Sequence, residues 1–150
     1  VRREDAGTAP IDVPETVARL TAEYERRYDT TIETDLPATT ARAADGRFGR
    51  VVGELVENSL EHAGEAPDVR VAVGTRAETV SVTVTDDGPG IPDHELDVLT
   101  GTEPITQLSH GSGLGLWLVI WLIESYGGTV DFENTPDGAT VTLSLPRTDA

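Results

Sequence analysis

The chain has no cysteine, no methionine and no lysine in its 150 residues. Without cysteine it has neither disulfides nor thiolate metal sites, and nothing in it points to an oxidising compartment. Methionine is missing even at the first position, Val1, so a fragment of a longer protein is expected. No apolar run approaches membrane-spanning length and no signal peptide is visible. This part is therefore expected to be cytoplasmic, with no membrane contact of its own. With no lysine, eleven arginines stand against 27 acidic side chains, for a formal net charge of −16.

That balance argues against a nucleic-acid partner, because phosphates need a basic surface. It is not the balance of a disordered chain, since hydrophobic content is 37% and periodicity is clear. Strong self-repulsion is tolerable where salt screens it, and the Debye length falls to about 3 Å near molar salt. Abundant Asp, Glu, Ala, Thr and Val without Lys resembles proteins adapted to high salt. This bears on habitat rather than on function.

The length suits a single domain with a core of its own. Pro14 to Tyr28 reads as an amphipathic helix, with Val17, Leu20, Tyr24 and Tyr28 near helical spacing. Thr31 to Leu36 and Thr40 to Ala44 read as short strands. Asp45 suits the N-cap of a helix running to about Ala63, ended by Gly64 and Pro67. Its core face is Phe48, Val51, Val52, Leu55, Val56 and Leu60, while Glu54, Asn58 and His62 recur at four-residue intervals on another face. Val69 to Gly74 and Thr79 to Thr85 form a hairpin pattern.

Regularity is weak from Asp87 to Gly113, a length that in a compact domain points to a functional lid. Leu114 to Tyr126 is apolar nearly all round and predicts a central buried helix. Thr129 to Glu133 and Ala139 to Leu145 predict strands around the turn Thr135-Pro136-Asp137-Gly138. Val1 to Ile11 and Pro146 to Ala150 read as tails, leaving a core of about residues 13–146. Helices and strands fall in blocks, which predicts an α+β sandwich: one mixed, mostly antiparallel sheet with helices on one face.

Three motifs carry chemistry. Asp86 ends a strand and is followed by Gly88 and Gly90, which put no Cβ in the way of a flat ligand. Its carboxylate accepts hydrogen bonds, and the exocyclic amine of adenine donates them; guanine presents a carbonyl there. Gly111, Gly113 and Gly115 precede an apolar helix, whose N-terminal N–H groups and dipole attract phosphate. Asn58 offers a neutral oxygen suited to Mg²⁺, and Glu54, one turn earlier, suits a general base or the orientation of a metal-bound water. Each motif alone has an ordinary reading: a turn, a hinge, and a solvated face of Glu54, Glu57, Asn58 and Glu61. The order and spacing of all three favour an ATP site with magnesium.

Val13 to Pro146 resembles the GHKL superfamily of gyrase, chaperone and mismatch-repair ATPases and histidine kinases. Glu54 to His62 resembles its N box, Asp86 to Ile91 its G1 box, and Gly111-Ser112-Gly113-Leu114-Gly115-Leu116 its G2 box. Gly138-Ala139-Thr140-Val141 resembles the late strand whose Thr helps hold adenine, and Thr140 takes that place. Glu61-His62 after Asn58-Ser59-Leu60, and Trp117 after the G2 box, resemble the catalytic domain of a sensor histidine kinase of haloarchaeal type.

The resemblance implies a Bergerat-fold two-layer α/β sandwich with an ATP lid, here about Pro92 to Ser112. It implies that Asp86 reads adenine, that Gly88, Gly90 and Ile91 flank the base, and that His62 packs near the nucleotide. Residues Gly111 to Leu116 would cradle the phosphates and Asn58 would bind Mg²⁺. The γ-phosphoryl group would pass to a histidine on a separate dimerisation domain of the same parent, with a response regulator downstream; the fragment itself would be monomeric.

The chain departs from the pattern in places. Many histidine kinases have Asn where Glu54 stands, whereas hydrolytic members and anti-sigma serine kinases have Glu. Glu61 takes the place of a frequent Lys, there is no Phe-rich F box, and no acceptor helix is visible. His94-Glu95-Leu96 imitates an acceptor motif only superficially, inside the lid. His110 borders the glycine turn, where it suits a phosphate contact and an ordinary surface position equally. Three functions stay open: phosphotransfer to histidine, a hydrolase or serine/threonine kinase with Glu54 as base, and nucleotide sensing without turnover.

The excess of acidic side chains gives a first prediction. The domain should lose structure at low ionic strength and its melting temperature should rise as salt approaches molar levels. A melting temperature that stays flat or falls across that range contradicts it.

Overall fold

The computed structural model describes residues 9–62, 68–99 and 112–149. In chain order the elements are β1 (Ile11–Asp12), α1 (Val13–Tyr28), β2 (Ile32–Asp35), β3 (Arg42–Ala43) and α2 (Phe48–His62). There follow β4 (Val69–Thr75), β5 (Thr79–Asp86), α3 (Asp93–Leu99), α4 (Ser112–Ser125), β6 (Thr129–Thr135) and β7 (Gly138–Pro146). Five strands form one sheet in the order β2-β4-β5-β7-β6, and β1 pairs with β3 apart from it. β2 runs parallel to β4, and the other pairings in the sheet are antiparallel.

Alternation along the strands makes the two layers. In β5, Val80, Val82, Val84 and Asp86 are buried, while Thr79, Ser81, Thr83 and Thr85 lie on the other face. In β7, Ala139, Val141, Leu143 and Leu145 are buried and Thr140, Thr142 and Ser144 are not. The valine and leucine face meets α2 through Val51, Val52, Leu55, Val56 and Leu60, and α4 through Leu116, Val119, Leu122 and Ile123. One face is apolar and helix-covered, and the other is a threonine and serine surface. The expected α+β sandwich is the one observed.

The structure differs from the sequence reading in four places. The helix α4 is not buried all round: Trp117 is 37% and Trp121 54% exposed. A uniformly apolar segment has no period to show which side faces water. Within the segment expected to be irregular, α3 forms: Leu96 N–H donates to Pro92 O at 2.9 Å, and Leu99 is buried. The Pro92-Asp93 pair is a helix-start signal that the surrounding glycines and prolines obscured. Asp45 lies three residues before α2 rather than next to it, yet makes the bonds of a cap across the intervening turn, its carboxylate accepting from Arg47 N–H at 2.9 Å and its carbonyl from Phe48 N–H at 3.0 Å. The two tails are held at their inner ends. Ile11 and Asp12 pair with Ala43 and Arg42. Arg147 N–H donates to Glu78 O and Thr148 N–H to Arg42 O, both at 2.8 Å. The expected helix breakers Gly64 and Pro67 lie outside the described residues.

One polar cluster joins the two site-bearing helices. The Asp45 carboxylate is buried, and it accepts from Arg47 N–H at 2.9 Å and from the Tyr126 hydroxyl at 2.6 Å. The Arg47 guanidinium grips its Oδ2 at 2.8 Å and stacks 5.6 Å from the centre of the Tyr126 ring. Tyr126 follows α4, where Gly127 N–H donates to Glu124 O and Gly128 N–H to Ile123 O, both at 3.0 Å, in the Schellman pattern. Burial pushes the Asp45 carboxyl up, but the bonds from Arg47 and Tyr126 outweigh it and hold the group below its ordinary value. Burial and donation to Asp45 push the Tyr126 hydroxyl up.

Tyr126→Phe is expected to lower the unfolding free energy by about 1.5 kcal/mol at neutral pH, as the charge-assisted bond is lost. The stability that depends on ionised Asp45 is complete above the ordinary value of 3.8 and disappears as pH falls through the lower folded value. The stability gap between the parent and Asp45→Asn should therefore narrow below that pH. Chemical denaturation across pH checks both effects, and a gap that widens in acid refutes the clamp.

Candidate nucleotide site

Asp86 closes β5 at 9% exposure, on the helix-covered face of the sheet. Its Oδ1 accepts from Gly88 N–H at 3.0 Å and from Ala139 N–H at 3.5 Å. Oδ2 has no hydrogen bond among the described residues. Asp87 is exposed and turns away to accept from Asp68 N–H at 3.0 Å. Each of the two adjacent carboxylates has one oxygen without a hydrogen bond among the described residues, but only that of Asp86 is buried at the strand end.

Gly138 presses directly on this strand end. A Cβ there would fall on the carbonyl oxygen of Asp86 and stand 2.9 Å from Asp87 Cα, at a φ of +146°. The close approach brings Ala139 N–H within reach of the carboxylate. Beyond Asp86 the loop passes through Gly90, with φ +88°, to the buried Ile91. Ile91 N–H donates to Asn134 Oδ1 at 2.9 Å, and Asn134 Nδ2 donates to Ile91 O at 2.8 Å.

The second half of the site lies between α2 and α4. Glu54 and Asn58, one turn apart on α2, are half-buried. Glu54 shares a narrow cleft with Arg50, Val51, Leu118, Val119 and Leu122. Its carboxylate lies against the first turn of α4: a Cβ on Gly115 would come 2.5 Å from Glu54 Oε2. Acidic helix face and anion-attracting helix start therefore meet because Gly115 has no side chain.

The expected residues divide as follows. Glu54 and Gly115 are brought together, as are Asp86, Gly88 and the backbone of Ala139. Gly90 and Ile91 line the same loop. Asn58 lies a turn from Glu54, and His62 is the last residue of α2. Ser112, Gly113 and Leu114 form the first turn of α4, while Gly111 and His110 lie outside the described residues. Leu116 is 2% exposed, so its side chain serves the core.

Thr140 is not brought to Asp86. It pairs directly with Thr85, and cross-strand partners share a face, so it stands on the polar side of the sheet. Ala139 occupies the position beside the carboxylate. Sequence reading missed Asn134, which no motif marks because its partner is 43 residues away along the chain.

Residues 44–149 match the family described as Histidine kinase-, DNA gyrase B-, and HSP90-like ATPase, and the chain belongs to that family. ATP is accordingly its ligand. The chain is 33% identical over 98% of its length to the signal transduction histidine-protein kinase AfsQ2 of Streptomyces coelicolor, and covers 29% of that protein. It is 30% identical over 97% of its length to the sensor protein kinase PilS of Pseudomonas aeruginosa, and covers 30% of it. It thus spans under a third of these curated relatives. Among solved structures it resembles the mycobacterial sensor histidine kinase MprB, with TM-score 0.74 and 25% identity over 93% of this chain and 97% of that one. It also resembles the ATP binding domain of PrrB from Mycobacterium tuberculosis, with TM-score 0.73 and 26% identity over 93% and 97% of the two chains.

The site geometry predicts opposite outcomes at neighbouring positions of β7. Gly138→Ala should lower the unfolding free energy by about 2–4 kcal/mol, because the methyl meets backbone that cannot rotate away and the φ is strained. Thr140→Val, on the polar face, should change it by no more than about 0.5 kcal/mol and leave ATP affinity within twofold. Denaturation curves and calorimetry check this; equal losses for the two variants would show that the register does not govern the site.

Proposed function

We propose that this chain is the catalytic ATP-binding part of a sensor histidine kinase, transferring the γ-phosphoryl group of ATP to a histidine on a separate dimerisation domain of its parent. The observation that carries the proposal is the meeting of Glu54 with Gly115. It sets the Glu54 carboxylate of α2 beside the N-terminal turn of α4, the end of α4 away from the Asp45 cluster. The names of the relatives AfsQ2 and PilS support the choice of histidine as acceptor. A response regulator downstream, a cytoplasmic setting, a monomeric fragment and a salt-adapted source complete the reading.

In this reading the adenine amine donates to Asp86 Oδ2, since Oδ1 is committed to Gly88 and Ala139. Gly88 and Gly90 let the base approach, His62 packs beside it, and Thr140 has no direct part. The N–H groups opening α4, with Gly111, Gly113 and Gly115, hold the phosphates. The donor set suits Mg²⁺: Asn58 contributes a neutral amide oxygen, and the Glu54 carboxylate lies in the space that Gly115 leaves open. Bound there, the ion would neutralise phosphate charge. Glu54 orients the acceptor or a water, and the protein's share of phosphoryl transfer is mainly positioning and charge stabilisation.

Glu54 also suits a base for attack by water, and labelled γ-phosphate decides between the two. In the full-length parent with Mg²⁺ and molar salt, an acid-labile label on a histidine is expected, and slow phosphate release from the domain alone. Release at about 1–10 per second, abolished by Glu54→Gln, would give the reading to a hydrolase. An acid-stable label would give it to a hydroxyl kinase, and no turnover at all to a nucleotide-sensing module.

A further inference from the structure

We propose that Asn134 is a positioning residue for the adenine end of the site, holding the loop from Gly88 to Ile91 in the shape in which Asp86 meets the base. The inference rests on the reading of Asp86 given above. Asn134 stands on β6, one of the two edge strands of the sheet, remote from all three motifs in sequence. Its carboxamide pairs with both backbone groups of Ile91, donating to the carbonyl at 2.8 Å and accepting from the N–H at 2.9 Å. A side chain here makes the two-bond pairing that a neighbouring strand would make. Both of its functional ends are used, so a side chain that lacks either the donor or the acceptor loses one of the two bonds.

The loop is shaped to receive this amide. At Gly90 a Cβ would stand 2.8 Å from Asn134 Oδ1 and 3.0 Å from its Cγ, and φ is +88°. Gly90 thus serves two requirements at once, the left-handed backbone and the space for Asn134. The other side-chain tethers of this loop lie at its start: Asp86 holds Gly88, and Asp87 holds Asp68. Asn134 alone fixes its far side among the described residues, just before α3 begins at Asp93. With that tether cut, Ile91 is held by burial alone and the glycine-rich stretch gains conformations that do not fit a flat base. The binding-competent fraction falls, and the apparent affinity falls in proportion. The reacting phosphates lie at the other end of the nucleotide, so the chemical step should be spared.

The test is steady-state phosphotransfer in the full-length parent, with the melting temperature followed for every variant. Asn134→Ala should raise KM for ATP about tenfold with kcat within twofold. Asn134→Asp, nearly isosteric, keeps the acceptor for Ile91 N–H but loses the donor to its carbonyl. It should give an intermediate KM, and it keeps the test open should the alanine variant fail to fold. A purely structural role would lower the melting temperature without this split between KM and kcat. KM within twofold of the parent in the folded variants, or a fall in kcat at unchanged KM, overturns the inference. Asp86→Asn is the control. If it abolishes ATP binding while the Asn134 variants bind normally, only the role of Asn134 fails. If it binds ATP as the parent does, the reading of Asp86 fails and the inference with it.

Discussion

The packing of α2 against α4 is the constraint on which the rest of the site depends. The two helices run in opposite directions. Tyr126, after the end of α4, reaches Asp45 before the start of α2, and Gly115, near the start of α4, abuts Glu54 in the middle of α2. One end is held by a buried carboxylate with three donors, Arg47 N–H, the Arg47 guanidinium and the Tyr126 hydroxyl. The other end is held close by the absence of a side chain. Between them lie Val51, Val52, Leu55, Val119, Leu122 and Ile123, all buried. Apolar packing supplies attraction but little directional information; the charged cluster fixes how far one helix slides along the other. A slide of one turn, about 5.4 Å, would separate Glu54 from the phosphate-attracting turn altogether.

The sheet imposes the second constraint, through register. Asp86 is useful because it falls on the helix-covered face as the last residue of β5, after three inward valines. A shift of one residue would put Thr85 there instead. The same alternation excludes Thr140 and selects Ala139, which contributes a backbone N–H rather than a hydroxyl. Gly138 makes this possible by lying flat on the Asp86 backbone. This end of the site is therefore built largely from main chain, with the Asp86 carboxylate at the strand end and the Asn134 amide bonded to the backbone of the loop beyond it.

Much of this was legible in the sequence, and what was not has identifiable causes. Helix α2 and the strands β5 and β7 carry clean periods, so their buried faces could be read residue by residue. Asp86, Glu54 and Gly115 sit in local motifs whose spacing survives without a structure. Thr140 falls on the face of the sheet away from Asp86, which a motif could not show because it gives order along the chain but not the face of the strand, and one residue reverses that face. The exposure of Trp117 and Trp121 could not be read because α4 is apolar on every side. Asn134 and Tyr126 were invisible for a common reason. Each acts on a partner far away in sequence, Ile91 and Asp45, and such contacts exist only once the sheet and the helix pair have formed.

The absence of lysine shapes how such a chain can hold an anion. ATP carries charge of the same sign as a protein of net charge −16, and no ammonium group is present to meet its phosphates. Several of the arginines are committed elsewhere: Arg27 to Glu23, Arg47 to Asp45, Arg70 to Asp35 and Arg147 to Asp149. Groups without net charge then matter, the N–H dipoles at the start of α4, beside Arg50 in the cleft that holds Glu54 and, on the proposed reading, a cation held by oxygen donors such as Asn58. Glu54 would repel phosphate if it faced it bare; beside such a cation the same carboxylate becomes favourable. Long-range repulsion is removed only by screening, which acts within a few ångströms at high salt and leaves short contacts nearly intact. An acidic surface and a backbone-built phosphate turn are therefore compatible, because they act over different distances.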